Sequence, residues 1–317
     1  MTDTAPTTGD PGPDHAHPRR QRVLRWLGIA LSIVTLGAIV FAVRGLDFAD
    51  LVRSTPGDPL FWIAFIASYL LVPGVEWLIY RELWRLPPSG MLPLLRKQIA
   101  NELLLGYSGD AQLYLWVRQH GGGANAAAAV KDVAILSAAA GNVATLAMMA
   151  ATAPMLWSLI DAGWLRALGI SIGLVTFMSL AIFLFRNALF GLSHRELWRI
   201  FAAHLLRLLF SILLLTVMWH VLVPQATIAW LLLLATIRLM LSRLPLFPNK
   251  DALFAGATIF ALGAGSDTSR AIALVAALTI AAHIALLPLT YLPMLRSWLP
   301  GANRAEGTKD RPAVEPE

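Results

Sequence analysis

Long apolar runs recur along most of this chain. Seven of them are about the length that an α-helix needs to cross a bilayer, and an eighth is shorter. The seven lie at residues 24–43, 60–80, 133–153, 165–185, 200–222, 226–241 and 271–292, and the eighth at 252–265. The pattern predicts an all-α, polytopic helical membrane protein with about eight transmembrane helices, plus a re-entrant or interfacial segment near 95–118.

The segment 101–118, which reads NELLLGYSGDAQLYLWVR, is too polar to cross a bilayer unaided and too apolar for an ordinary loop. It carries Glu102, Asp110 and Arg118, with two glycines between the first and the last of them. Polar backbone at membrane depth is tolerated where protein buries it or where it lines a cavity. Two interpretations follow: a hairpin that turns back inside the membrane, or an amphipathic helix on the membrane surface.

Composition supports the membrane assignment. The chain has 317 residues, of which 57% are hydrophobic and 14% are charged, and its mean hydropathy is +0.64; an ordinary soluble domain is far more polar. It contains no cysteine, which excludes disulfides, thiolate metal sites and cysteine nucleophiles. We expect disordered cytoplasmic tails at 1–21 and 299–317 around a single transmembrane domain at 22–298.

The positive charges predict the orientation. If 101–118 returns to the side it left and 252–265 crosses, 20 of the 25 Lys and Arg residues lie on one side and 4 on the other, with Arg207 inside a helix. Cytoplasmic loops carry the excess of Lys and Arg. We therefore expect both termini to be cytoplasmic, in a multi-pass protein of the inner (plasma) membrane.

Arg207 is a candidate binding residue inside an apolar run. With His204 and Ser211 it falls at positions i−3 and i+4 on one helical face. A buried Arg in a membrane helix faces a partner or a cavity, and its planar fork suits phosphate. The alternative is that it snorkels to the cytoplasmic interface.

Glu76 is a second charged residue inside an apolar run, after Pro73 and Gly74. It could pair with Arg207 or Arg238. The favoured interpretation is an interfacial carboxylate paired with the nearby Arg81 or Arg85.

A basic rim is predicted beside the two polar interruptions of the apolar pattern, the second of which begins at Arg243. The predicted substrate-binding residues are Arg207, Arg118, Glu102, Asp110, Arg238, Arg243 and Lys250. The basic residues among them would attract an anionic headgroup. No metal site or cofactor is predicted.

Four features resemble the lysylphosphatidylglycerol synthetase transmembrane-region family, also called the flippase-like membrane family. They are the motif Gly45-Leu46-Asp47-Phe48 after the first run, the segment 101–115, the pair Lys131-Asp132, and the stretch 243–251 that reads RLPLFPNKD. The resemblance covers about 22–298. It implies a helical membrane protein that moves or accommodates amphipathic lipids, such as aminoacylated phospholipids, polyprenyl-linked sugars or hopanoid-type lipids, here without a synthase domain.

We therefore expect a translocase or binding protein for an amphipathic lipid, with membrane lipids as partners and no nucleic acid. Two alternatives are left open. One is a membrane glycosyl- or lipid-transferase that uses Asp47 and Asp50. The other is a non-catalytic accessory subunit of an envelope pathway, or a homo-oligomer, that packs through small residues such as Ala134, Ala138 and Gly141.

Overall fold

The computed structural model describes residues 53–104, 107–119, 124–157, 189–243 and 249–298, together with Trp26 and scattered positions between 169 and 184. This part of the chain contains helices and no strand, so the predicted all-α class is confirmed. In chain order the helices are α1 (Pro59–Trp84), a 3-10 turn (Pro88–Gly90), α2 (Met91–Leu103), α3 (Ser108–Gln119), α4 (Ala124–Trp157), α5 (His194–Leu222), α6 (Ile228–Ser242), α7 (Lys250–Leu262) and α8 (Asp267–Trp298).

Four described helices are long and apolar enough to span a membrane. These candidate spans are Pro59–Trp84, Asn125–Met155, His194–Leu222 and Asp267–Tyr291, and they correspond to four of the predicted runs. The runs at 24–43 and, for the most part, 165–185 fall outside the described residues, as do the two predicted tails. The chain is thus a membrane-embedded helical protein.

Local sequence signals fix where several helices begin. Asp58 caps α1 by accepting a hydrogen bond from the backbone N–H of Leu60 at 2.8 Å, and Pro59 occupies the first helical position, where no amide donor is needed. Ser193 and Glu196 form a reciprocal capping box at the start of α5. Thr227 caps α6 by accepting a hydrogen bond from the backbone N–H of Trp230 at 3.3 Å.

The long helices α1 and α5 pack antiparallel and define two ends of the molecule. At one end Glu82 of α1 pairs with Arg199 of α5; we call this the basic end, because Arg81, Arg85 and Arg195 lie there as well. At the opposite end Phe61 packs in one apolar cluster with Trp219.

Helices α2 and α3 form the first hairpin, which starts from the basic end. They follow the end of α1 and pack against each other and against α1, α4 and α8. The backbone of Gly109 in α3 lies so close to α2 that a Cβ there would be 2.0 Å from the carbonyl oxygen of Lys97. The segment 101–118 therefore turns back on itself, and Gly109 permits the close approach that its position suggested.

Helices α6 and α7 form a second hairpin, which starts from the opposite end. They have only 15 and 13 residues, about 20 Å each at 1.5 Å per residue, which is too short to cross a bilayer core of about 30 Å. Gln225, just before α6, bonds to Asp267 at the start of α8 at 3.3 Å, so α6 begins and α7 ends at the same end of the molecule. The tip reaches only the middle of α4, where the Arg243 guanidinium lies against Gly141.

The predicted spans 226–241 and 252–265 are therefore the two arms of this second hairpin rather than two independent crossings. Replacing two crossings by one hairpin does not move the later segments to the other side of the membrane, so the predicted sides of the remaining charges are unaffected. Of the 20 residues assigned to the positive side, six (Arg96, Lys97, Arg118, Arg238, Arg243 and Lys250) belong to the hairpins, and 20 − 6 leaves 14 against 4.

The two halves of the described chain share one plan in opposite orientations. In the first half α1, the α2–α3 hairpin and α4 follow one another, and in the second half α5, the α6–α7 hairpin and α8 do so. Because α1 runs toward the basic end and α5 runs away from it, the two hairpins enter from opposite ends. This is the arrangement of an inverted-topology repeat.

The close contact at Gly109 gives a stability prediction. Replacing Gly109 by Ala is expected to cost about 1–3 kcal/mol, because the added methyl meets rigid backbone rather than a mobile side chain. Gly74→Ala in α1 is the matched control, since a Cβ there meets nothing within 4 Å. Thermal unfolding in detergent, followed by tryptophan fluorescence, should show a lower Tm for Gly109→Ala only. Equal Tm values would contradict the close packing of α2 on α3.

The second hairpin gives an accessibility prediction, and the absence of native cysteine makes it easy to test. A cysteine at Ser242, at the hairpin tip, should react with a membrane-impermeant maleimide at least about tenfold more slowly than one at Gln119, the last residue of α3 at the basic end, because the tip lies within the protein. If α6 and α7 instead crossed separately, Ser242 would lie at the basic end and both cysteines would react equally fast.

Candidate functional site

Nine charged side chains from both hairpins and both long central helices interact with one another in the middle of the molecule. We call them the central charge cluster. It comprises Glu76, Lys97, Glu102, Asp110, Arg207, Arg238, Arg243, Lys250 and Asp251.

Lys97 holds the first hairpin to α1. Its Nζ lies 2.7 Å from Oε1 of Glu76 and 2.9 Å from Oδ1 of Asp110. The side chains of Lys97 and Glu76 are only 4% and 5% exposed. One buried cation thus joins α1, α2 and α3, and the attraction is strong because little water screens it.

Hydrogen bonds across the tip of the first hairpin hold Asp110 in place. Asn101 donates to the Asp110 carboxylate at 3.0 Å and accepts from the N–H of Gly109 at 2.7 Å. Ser108 donates from its hydroxyl to the carbonyl of Ala100 at 2.8 Å. The turn also contains Tyr107 at φ 75°, a left-handed backbone that is uncommon outside glycine and asparagine.

The second hairpin brings an ion pair and two further cations. Arg238 pairs with Asp251 at 2.6 Å. Lys250 donates to the carbonyl of Ser242 at 2.7 Å, and Arg243 donates to the hydroxyl of the same serine at 3.0 Å. This hairpin therefore concentrates positive charge at its tip.

The two tips touch. The backbone N–H of Asn249, whose side chain caps α7, donates to the backbone carbonyl of Glu102 at 2.8 Å. The Glu102 side chain interacts electrostatically with Lys250, Arg238, Arg207 and Asp251, yet it forms no ion pair within 4 Å among the described residues. Glu102 is thus the carboxylate at the junction of the two hairpins.

Arg207 approaches the junction from α5. It lies 13 residues after His194 and 15 before Leu222, which end the helix, so its backbone is about 20 Å from either end. Its guanidinium donates to the hydroxyl of Ser137 in α4 at 3.3 Å and interacts with Glu76, Glu102 and Asp110. Arg207 therefore faces the protein interior at the middle of a candidate span.

His204, one turn before Arg207, is fully buried, and neither ring nitrogen has a hydrogen-bond partner in the described part of the chain. The Arg207 Nε and the Tyr80 hydroxyl lack partners there too. Buried polar atoms of this kind are commonly satisfied by internal water or by a ligand. A small cavity of about 10 Å³, close to the size of one water molecule, lies beside the Arg238–Asp251 pair.

The structure brings together six of the seven predicted binding residues. The exception is Arg118, which lies in the last turn of α3, away from the tip, and forms no ion pair with a described residue. The polarity of 101–118 identified the segment as a whole. It could not show which of its charged residues lie near the hairpin tip and which, like Arg118, lie near the basic end.

The favoured partner of Glu76 was wrong. Glu76 is buried and pairs with Lys97 rather than with Arg81 or Arg85, although Arg207 also interacts with it, as one alternative held. Lys97 itself was assigned to a cytoplasmic loop. The position of Glu76 inside an apolar run could have predicted this pair, because a carboxylate there needs a cation at the same depth.

Two other sequence features have structural roles. Asp132 is buried and accepts hydrogen bonds from the N–H groups of Gly191 and Leu192, at 2.8 and 3.1 Å, which anchors α4 to the start of α5. Gly141, predicted as part of a packing face, makes room for Arg243. Asp47 and Asp50, the candidates for transferase chemistry, lie outside the described residues.

Comparison with protein-family models, curated proteins and solved structures found no match for this chain. Among the described residues, no group of three or more His, Asp or Glu side chains could hold a metal ion. The geometry of the cluster is therefore the basis for a functional proposal.

Lys97, Glu76 and Asp110 form an ion-pair triad, which gives a prediction that separates interior from surface charge. Lys97→Met should lower the free energy of unfolding by about 3–5 kcal/mol, because it leaves the buried carboxylate of Glu76 and the largely buried one of Asp110 without their cation. The matched control is Arg199→Met, whose pair with Glu82 is more than half exposed and should contribute about 1 kcal/mol or less. Chemical unfolding in mixed micelles measures both variants. A Lys97 variant as stable as the Arg199 variant would show that the triad does not hold the hairpin.

Proposed function

We propose that this chain is a lipid translocase, which carries an amphipathic lipid with an anionic headgroup between the two leaflets of the membrane. The observation that carries the proposal is the central charge cluster, built where two hairpins from opposite ends meet. Each charge at the depth of the apolar helices carries a large free-energy penalty. Nine interacting charges there are therefore more than a purely structural role requires.

The inverted plan of the two halves supports transport. In transporters built from inverted repeats, the substrate site lies near the bilayer midplane, where interrupted helices from the two repeats meet. Here Asn249 and Glu102 touch at that junction, so this contact would have to open for a lipid to pass. Movement of either hairpin would open the cluster toward one side.

The chemistry of the cluster supports an anionic headgroup. Arg207, Arg243 and Lys250 have no carboxylate within ion-pair distance among the described residues and bond instead to hydroxyl or carbonyl oxygens. Guanidinium groups bind phosphate oxygens through two parallel N–H donors. The apolar surface of the long helices around them suits the acyl chains of the same ligand.

The resemblance to the lysylphosphatidylglycerol synthetase transmembrane-region family also supports the proposal of a lipid translocase. Two of the segments that carry it, 101–115 and 243–251, contain the tips of the two hairpins. A flippase-like membrane protein is the role that this resemblance implies.

We also propose that the basic end faces the cytoplasm in an inner (plasma) membrane. The Lys and Arg residues outside the hairpins favour that end by 14 to 4, which is the bias of cytoplasmic loops. The lipid would then reach the cluster along the first hairpin from the cytoplasmic leaflet and along the second hairpin from the outer leaflet.

The proposal predicts which arginines matter. In vesicles reconstituted with the purified protein, Arg207→Ala and Arg243→Ala should each lower the rate of lipid translocation at least about tenfold, because each removes a cation from the junction. Arg118→Ala is the matched control, since it removes the same charge outside the cluster. Dithionite quenching of a fluorescent phosphatidylglycerol measures the rate.

Two checks make this experiment decisive. Thermal unfolding of each variant in detergent separates loss of transport from loss of fold. Transport at the wild-type rate by folded Arg207→Ala and Arg243→Ala proteins would overturn the assignment of the cluster as the lipid path. An equal loss with Arg118→Ala would point to a general electrostatic effect of the protein surface.

A further inference from the structure

The central charge cluster has an unequal number of positive and negative groups. It contains five cations (Lys97, Arg207, Arg238, Arg243 and Lys250) and four carboxylates (Glu76, Glu102, Asp110 and Asp251), so its net charge is 5 − 4, or +1. This count covers the residues that the structure describes.

The surplus charge can be assigned to one part of the cluster. Lys97 pairs with Glu76 and Asp110, which gives that group a net charge of −1, and Arg238 pairs with Asp251, which is neutral. The remaining residues are Arg207, Arg243, Lys250 and the single carboxylate of Glu102, with a net charge of 3 − 1, or +2. The positive charge of the cluster therefore lies at the junction of the hairpins, where three cations meet one carboxylate.

An uncompensated positive charge at this depth is costly unless a partner neutralises it. A ligand with one negative charge would bring the cluster to neutrality. A ligand with two would leave it at −1, and a zwitterionic ligand would leave it at +1 and bring an ammonium group close to Arg243 and Lys250. The charge balance thus discriminates among headgroups even before shape is considered.

We propose that the central charge cluster binds a lipid headgroup that is a monoanionic phosphodiester, and that Glu102 sets this charge preference. This inference rests on the proposed function and names its substrate class. Arg243 and Arg207 are the donors to the phosphodiester oxygens, while Lys250 adds charge. Glu102 lowers the net charge of the cluster by one, so that a single negative charge on the ligand neutralises the cluster.

The test compares three lipids that share the same labelled acyl chains: phosphatidylglycerol with one negative charge, phosphatidylcholine with none, and phosphatidic acid, whose phosphomonoester carries about −1.5 to −2 at neutral pH. In vesicles with the wild-type protein, phosphatidylglycerol should move at least about tenfold faster than either of the others, a difference that corresponds to about 1.4 kcal/mol.

Two variants change the balance in opposite directions. Glu102→Gln raises the cluster to +2 and should shift the preference toward phosphatidic acid by at least about tenfold in the ratio of rates. Arg243→Gln lowers it to 0 and should abolish the preference of phosphatidylglycerol over phosphatidylcholine. Arg118→Gln is the matched control, which changes the charge of the chain by the same amount outside the cluster and should leave all ratios unchanged.

The lipids retained by each purified variant, measured by native mass spectrometry after exposure to an equal mixture of the three, provide a second readout that does not depend on transport. Phosphatidylglycerol should dominate on the wild type and lose its advantage on Arg243→Gln. Soluble dimethyl phosphate at millimolar concentration should not displace it; displacement would overturn the assignment to a lipid.

The two proposals fail in different ways. Equal rates for all three lipids, or a wild-type preference retained by folded Glu102→Gln protein, would overturn the charge preference and leave a translocase of broad specificity. If no lipid moves but phosphatidylglycerol is still selectively retained, the binding site stands and the translocase function falls. Equal retention of all three lipids would overturn the site.

Discussion

The ion pairs of Lys97 with Glu76 and Asp110 are the interaction on which the rest of the central structure depends. A charge at the depth of apolar helices must find a partner at the same depth, because no water is present to solvate it. One ammonium group satisfies this requirement for two carboxylates on two different helices. It thereby fixes the first hairpin against α1 and places Glu102, five residues further along α2, where the second hairpin arrives.

The two hairpins solve one problem in complementary ways. A helix that ends inside an apolar environment leaves backbone groups without partners. At the first tip, Asn101 and Ser108 satisfy part of this demand with their side chains. At the second tip, Lys250 and Asn249 do so by bonding the carbonyls of Ser242 and Glu102. The polar residues at the tips, Lys250 among them, therefore have a structural reason to be present, but this reason does not explain the surplus charge of the cluster.

Much of this architecture could be predicted from sequence, and the limits have physical causes. The apolar runs predict α1, α4, α5 and α8, and the polarity of 101–118 predicts either a hairpin or a surface helix, of which the structure has the hairpin. The second hairpin was interpreted as two crossings because most residues of α6 and α7 are apolar; the signal that could have corrected this was their length of 15 and 13 residues. The Glu76–Lys97 pair joins residues 21 positions apart on different helices, and no local pattern encodes such a contact.

The cluster residues of the two hairpins carry opposite net charges, which favours the contact between the hairpin tips and bears on how the proposed transport would begin. Within the cluster, the first hairpin carries Lys97, Glu102 and Asp110, for a net charge of −1, and the second carries Arg238, Arg243, Lys250 and Asp251, for a net charge of +2. The tips therefore attract each other, strongly so where water is scarce. A monoanion bound to the second hairpin would cancel half of its charge and weaken that attraction. In a translocase the cargo itself would then lower the cost of separating the hairpins, so that the empty protein stays closed and the loaded protein opens.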